Sequence, residues 1–178
     1  KTVLYDNLTL KDCAGKLIVK DQTVTLQNVI TSVFGGQIGL NGMVSTKEKT
    51  PKFNMDLGLN KVDIAQTFTQ LDMLKKIAPI AGAVSGKLNS TIKLSGNLNA
   101  NEMTPDLKTI SGDLLGQLLS TTVNSSNSTL LSALDSNIKF IDLKKLNLND
   151  LKAAGSFKDG KVTVKPFDIK YQDIKATI

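Results

Sequence analysis

Apolar and polar residues alternate in short runs along most of this chain, and the runs end in Gly, Asn or Asp. That is the pattern of strands with one buried face. Val24 and Leu26 share a face, as do Ile38 and Leu40, and Phe53, Met55, Leu57 and Leu59 form the longest unbroken alternation. Leu88, Ile92 and Leu94 continue it, with Ser90 between; later come Leu146 and Leu148, then Val162 and Val164, then Phe167, Ile169 and Tyr171. Lys20-Asp21-Gln22-Thr23, Phe34-Gly35-Gly36-Gln37 and Lys158-Asp159-Gly160-Lys161 each separate two such runs in the manner of a hairpin turn. The pattern predicts a meandering, largely antiparallel sheet with one apolar face.

Two segments break the period of two. From Asp63 the apolar positions Ile64, Phe68, Leu71, Leu74 and Ala78 recur at three and four, with Asp63 and Gln66 offering a capping-box start and Pro79 a stop. From about Ser128, Leu130, Leu131, Leu134, Ile138 and Ile141 lie on one stripe. Both segments are expected to be amphipathic helices covering apolar surface. Loops are expected at Ser45–Thr50, Asn97–Pro105 and Asn124–Ser128, the last two being the places where proteolysis or insertion should be best tolerated.

The chain also repeats itself. At an offset of 138 residues Leu8–Leu40 aligns without a gap on Leu146–Ile178. Leu8, Leu10, Asp12, Lys20, Asp21, Val24 and Thr25 match Leu146, Leu148, Asp150, Lys158, Asp159, Val162 and Thr163. In both copies a turn of the form Lys-Asp-x-x-Val-Thr sits between strand-like runs, as an elongated, stacked β structure would leave it. Because the second copy stops at residue 178, the chain reads as a segment of a longer protein.

Composition narrows the chemistry. The chain has no His, no Trp and no Arg, and Cys13 is its one cysteine. Ser-His and Cys-His nucleophile pairs and the usual zinc sites are therefore excluded. The acidic residues sit singly, with no Asp-rich calcium loop and no catalytic pairing of carboxylates or of Ser with Lys. No catalytic residue, no metal ligand and no cofactor is expected. Cys13, at the end of an early strand, reads as a small buried hydrophobe. The net charge of +6 comes from Lys alone and is spread as +2, +1 and +3 over residues 1–60, 61–126 and 127–178. Without Arg forks and with few aromatics this is not a nucleic-acid surface. Lys144, Lys145 and Lys165 read as solvated residues that discourage edge pairing, with anionic headgroups as the other use. The Asn-x-Ser/Thr triplets at Asn7, Asn89, Asn124 and Asn127 read as chance in an Asn-rich chain. The longest apolar stretch, Ile77 to Val84, is interrupted by Pro79 and Gly82, and falls far short of the roughly 20 residues that cross a bilayer as a helix.

Three stretches resemble the AsmA-like family of bacterial envelope proteins, in the region toward its C-terminus. The first is the Gly-Gly hairpin leading to a strand that closes on Gly, Gly35-Gly36-Gln37-Ile38-Gly39-Leu40-Asn41-Gly42. The second is a strand, a helix, a Pro-containing exit and a new strand: Met55–Val62, Asp63–Lys76, Ala78-Pro79-Ile80 and Gly86–Leu98. The third joins Leu130–Ile141, Leu148–Leu151, Phe157–Val162 and Pro166-Phe167. The resemblance spans nearly the whole chain, and its motifs are spacing patterns. It implies a periplasmic protein tethered to the inner membrane by an N-terminal anchor outside this chain. It also implies a role in passing phospholipid between inner and outer membrane and in outer-membrane biogenesis, as in related bridge-like lipid transfer proteins.

The expected architecture is thus mainly β (α+β): residues 1–178 as a single AsmA-like β-groove segment, an elongated, strongly curved antiparallel sheet forming a groove, with two amphipathic helices. Exposing a phospholipid tail of about 16 carbons to water costs roughly 0.8 kcal/mol per methylene, on the order of 12 kcal/mol in all. A strand of about seven residues spans roughly 23 Å, close to the length of such a tail. Phe53, Met55, Leu57, Leu59, Leu88, Ile92, Leu94, Val162 and Val164 are the candidates for an apolar inner face that shelters acyl chains. The same alternation would also suit a closed core in a structural or adhesive β-repeat module acting through protein contacts, and it does not separate the two.

Overall fold

The computed structural model describes residues 1–5, 8–71, 84–123, 146–171 and 174–177. Its strands are β1 (Val3–Tyr5), β2 (Leu8–Lys20), β3 (Thr23–Val33), β4 (Gly36–Ser45), β5 (Lys52–Asp63), β6 (Val84–Asn97), β7 (Ser111–Val123), β8 (Leu146–Asn147), β9 (Lys152–Lys158), β10 (Lys161–Val164), β11 (Asp168–Tyr171) and β12 (Ile174–Thr177). Among the described residues, one helix, α1 (Ile64–Gln70), follows β5, and a single turn of 3-10 helix at Leu107–Thr109 precedes β7. The protein is mainly β. Nine antiparallel strands make one open sheet in the order β1, β2, β3, β4, β5, β6, β7, β9, β10, and β12, β11 and β8 make a second, three-stranded sheet.

Neighbours in the sheet are almost always neighbours in sequence, and β2–β3, β3–β4 and β9–β10 are joined by two-residue hairpin turns. The three turns read from sequence are all two-residue turns with positive φ at both positions: Asp21 50° and Gln22 55°, Phe34 50° and Gly35 63°, Asp159 50° and Gly160 74°. This is the signature of type I′ turns, whose twist matches that of the strands they join. A bulky residue at positive φ is strained, and Phe34 is held there by its ring, buried against Leu8, Val33 and Val62.

The repeat is one of backbone geometry as well as of residues. In β2 and β3 the pairs run from Lys20↔Thr23 to Leu17↔Leu26, and in β9 and β10 from Lys158↔Lys161 to Gly155↔Val164. Val33↔Gly36 through Ile30↔Gly39 recur as Tyr171↔Ile174 through Asp168↔Thr177. All are displaced by 138 residues. Asp12 and Asp150, matched in sequence, both take positive φ, 53° and 60°. The copies differ in continuity. Asn28 forms a bulge in β3 at φ 49°, and its N–H donates to Asn41 Oδ1 at 2.7 Å. The equivalent residue in the second copy is Pro166, which has no N–H to give. There the strand ends, and its continuation joins the small sheet as β11.

α1 begins where the sequence places it. The Asp63 carboxylate accepts from the Gln66 N–H at 2.9 Å, and Ile64 is buried. Leu74, Ala78 and Pro79 of this expected helix lie outside the described residues, as does the whole of the second one from Ser128 to Ile141 and the loop Asn124–Ser128. Two readings change. Cys13 lies within β2, not at a strand end, and is half-buried, with Sγ 3.3 Å from Thr31 Oγ1. The connection Asn97–Pro105 is no slack loop: Leu98 is buried and its N–H donates to Pro51 O, while the Asn97 N–H donates to Thr109 Oγ1.

Candidate functional site

Residues directly paired across antiparallel strands point to the same face, so the register alone sorts the side chains. One row runs Val29, Leu40, Leu57, Ile92, Leu114, Gly155, Val164 across seven strands, roughly 29 Å at the usual strand spacing. A second runs Leu17, Leu26, Gly42, Met55, Leu94, Gly112, Phe157, Val162 across eight. A third holds Val19, Val24, Val44 and Phe53, and a fourth Ile38, Leu59, Ser90, Gly116 and Ala153. All nine candidates from sequence therefore lie on one face of one sheet: eight fall in these rows, and Leu88 joins them by pairing with Val62.

Bulges keep the face intact. Between Leu59 and Val62 strand β5 carries one residue more than β6, at Lys61, whose φ is 51°. The extra residue reverses the alternation, so Val62 returns to the apolar face although its parity differs from that of Leu59. An Asn side chain from a neighbouring segment holds each of three such irregularities. Asn41 takes the N–H of Asn28, Asn89 that of Lys61 at 2.8 Å, and Asn149 that of Thr121 at 2.6 Å, beside Ser120 at φ 50°. Sequence reasoning assigned Asn89 no role. Its signal was an Asn on the polar side of a strand, facing a place where the neighbouring alternation skips a beat.

Along the face the packing is uneven. At one end Leu8, Val33, Phe34 and Val62 form a buried cluster joined by Leu10, Ile38, Leu59 and Leu71. At the other Phe53, Leu98 and Ile110 do the same with Val44, Met55, Leu94, Leu107 and Phe157. Phe53 is thus a member of a sealed cluster, with Met55 and Leu94 packed against it, and Leu59 belongs to the opposite one. Leu57, Leu88, Ile92, Val162 and Val164 belong to neither cluster; the first four are half-buried and Val164 is 48% exposed. Leu40 and Leu114, beside Leu57 and Ile92 in their row, are half-buried as well. At Gly42 and Gly112 the chain packs too closely for any side chain: a Cβ at Gly42 would come within 2.6 Å of Met55 Sδ, and one at Gly112 would strike Lys93 O.

The middle of the face offers dispersion contacts and almost no hydrogen bonding. Ser90, the polar residue in its fourth row, is buried and donates to Leu115 O at 2.8 Å. The opposite face carries Lys16, Lys20, Asn54, Asp56, Lys93 and Asp113, set by the same registers. Such a two-faced sheet gathers apolar side chains on one side and faces water on the other. Among the described residues no three Cys, Asp or Glu side chains gather into a metal-binding group, and no helix is long and apolar enough to cross a membrane. Comparison with protein-family models, with curated proteins and with solved structures finds no match.

Proposed function

We propose that the middle of this apolar face shelters phospholipid acyl chains, and that the chain is a segment of an AsmA-like, non-enzymatic envelope protein. In this reading the sheet curves into a groove. The full-length protein works in the periplasm, tethered to the inner membrane, and contributes to lipid transport between the membranes. The observation that carries the reading is the row Val29, Leu40, Leu57, Ile92, Leu114, Gly155, Val164, aliphatic apart from its glycine and half-buried or exposed at Leu57, Ile92 and Val164. A surface of Leu, Ile and Val holds a methylene chain by area alone, at about 25 cal/mol per Å² removed from water, and has no hydrogen bonds to break when the chain moves along it.

Solvent extraction and mass spectrometry of the purified chain, followed by titration with a fluorescent 16-carbon fatty acid, test the proposal. Copurified phospholipid and saturable uptake, both reduced by Leu57→Asp, are the expected results. Absence of lipid together with absence of uptake would overturn it. The other reading, a structural β-repeat module acting through protein contacts, is favoured by the repeat of register between the two copies. It predicts that Leu57→Asp leaves partner binding unchanged.

A further inference from the structure

A hollow of about 490 Å³ lies over β6, β7 and β9, each of which has a strand on both sides. That volume is within the usual span of small-molecule sites, roughly 300–1,000 Å³. Its lining shows which face it occupies. Thr91, Leu115 and Ala154 are directly paired in one row and Asn89, Gln117 and Lys152 in another, both on the polar face. Leu59, Ser90, Gly116 and Ala153, the row between them, turn their side chains to the apolar face and give the hollow a backbone floor. On the apolar side of Gly116 sits Leu88, whose Cδ1 would meet a Cβ there at 3.4 Å, and Leu88 does not line the hollow. The hollow therefore opens on the side of the sheet opposite Leu57 and Ile92.

Two hydrogen bonds decide what the hollow offers. A backbone N–H can only donate, so Asn89, whose Oδ1 accepts from the Lys61 N–H at 2.8 Å, keeps its NH2 for the hollow. A carboxylate can only accept, so Gln117, whose Nε2 donates to Asp150 Oδ1 at 3.4 Å, keeps its Oε1. The two residues are directly paired, with Cβ atoms about 5 Å apart. Beside them Leu115 presents an aliphatic surface, 63% exposed. Its row continues through Thr91 to Gly58 and Gly39, and a Cβ at Gly58 would meet nothing within 4 Å, so the hollow runs on as a flat trough across β5 and β4. Along the next row Asp56, Lys93 and Asp113 alternate in sign. The trough is thus polar without a patch of one charge.

We propose that this trough binds a neutral oligosaccharide. A hydroxyl donates and accepts at once, so neighbouring hydroxyls of a sugar ring satisfy Asn89 and Gln117 together while the C–H face of the ring lies on Leu115. A phosphate would set oxygen against Gln117 Oε1, and an ammonium would set N–H against the Asn89 NH2. An alkyl chain would leave both amides without a partner. Further sugar units extend over Gly58 and Gly39. The inference rests on the polar face and not on acyl-chain binding, so either can fail without the other.

The test applies the epitope-tagged 178-residue chain to an array of neutral and acidic glycans, then titrates the strongest neutral tetrasaccharide and its disaccharide fragment by calorimetry. Binding to neutral glycans is expected. Gln117→Leu removes the acceptor and should weaken binding about tenfold. Leu115→Ser removes the aliphatic surface and should weaken it about fivefold. Gly58→Thr enters open space, so it should fold normally, weaken the tetrasaccharide about tenfold and leave the disaccharide unchanged. Leu57→Asp, on the opposite face, should change neither. No binding to any neutral glycan, a preference for acidic glycans, or indifference to both Gln117→Leu and Leu115→Ser would overturn the proposal. So would a loss of glycan binding on Leu57→Asp in a protein whose circular dichroism is unchanged, since the apolar face would then be the site.

Discussion

The two ends of the apolar face and its middle are made of the same residues and packed differently. Phe53 and Leu57 stand four residues apart on one strand, on one face, opposite Val44 and Leu40. Phe53 is buried under Leu98 and Ile110 from the β6–β7 connection, whereas Leu57 belongs to neither buried cluster. The ends are closed by chain that folds back over the sheet: Phe34 and Leu71 on one side, Leu98, Leu107 and Ile110 on the other. Alternation thus decides which face a residue occupies. What closes over that face decides whether the residue stabilises the fold or remains accessible to a ligand.

Substitutions sharpen this contrast in decreasing order of effect. Phe53→Ala should lower unfolding free energy by about 3 kcal/mol in urea titration, against about 1 for Leu57→Ala; equal losses would mean that the middle is as tightly packed as the end. Val62→Ala, at the opposite end and 2% exposed, should cost about 2 kcal/mol by the same measurement. Asn89→Ala leaves the Lys61 N–H without its partner, and should cost about 1.5 kcal/mol and speed hydrogen exchange of that amide. Asn54→Ala on the same polar face should be nearly neutral. Leu57→Asp should weaken acyl-chain uptake about tenfold, about 1.4 kcal/mol, whereas Phe53→Ala should act on stability first. Lys52→Ala breaks an exposed ion pair with Glu48 and should change stability by less than about 0.5 kcal/mol.

Much of this sheet can be read from the chain because its determinants are local. Two-residue turns at Asp21-Gln22, Phe34-Gly35 and Asp159-Gly160 admit one kind of hairpin, and strict alternation in Phe53–Leu59 fixes face and strand together. β7 escapes that reading: the doublets Leu114-Leu115 and Leu118-Leu119 hide the period of two, and Leu115 is 63% exposed on the polar face. The bulges escape it too. An extra residue is recognisable only against its neighbour, so Asn28 and Lys61 acquire meaning once β4 and β6 are in register beside them. The repeat was visible as seven matched residues, but the reason its second copy splits, a proline where the first has a bulged asparagine, depends on hydrogen bonds that cross strands. For the candidate face, the sequence supplied its membership. The separation of sealed ends from an accessible middle depends on contacts with Leu98 and Ile110, remote in sequence from Phe53.

The most direct measurement places a photoreactive benzoylphenylalanine at Leu57 or at its neighbour Asp56, which points to the opposite face, and irradiates each protein with phospholipid vesicles. Intact mass spectrometry then reads the adduct. The account predicts a lipid adduct at position 57 and none at 56; an adduct at 56 alone, equal labelling of both, or none at either would contradict it.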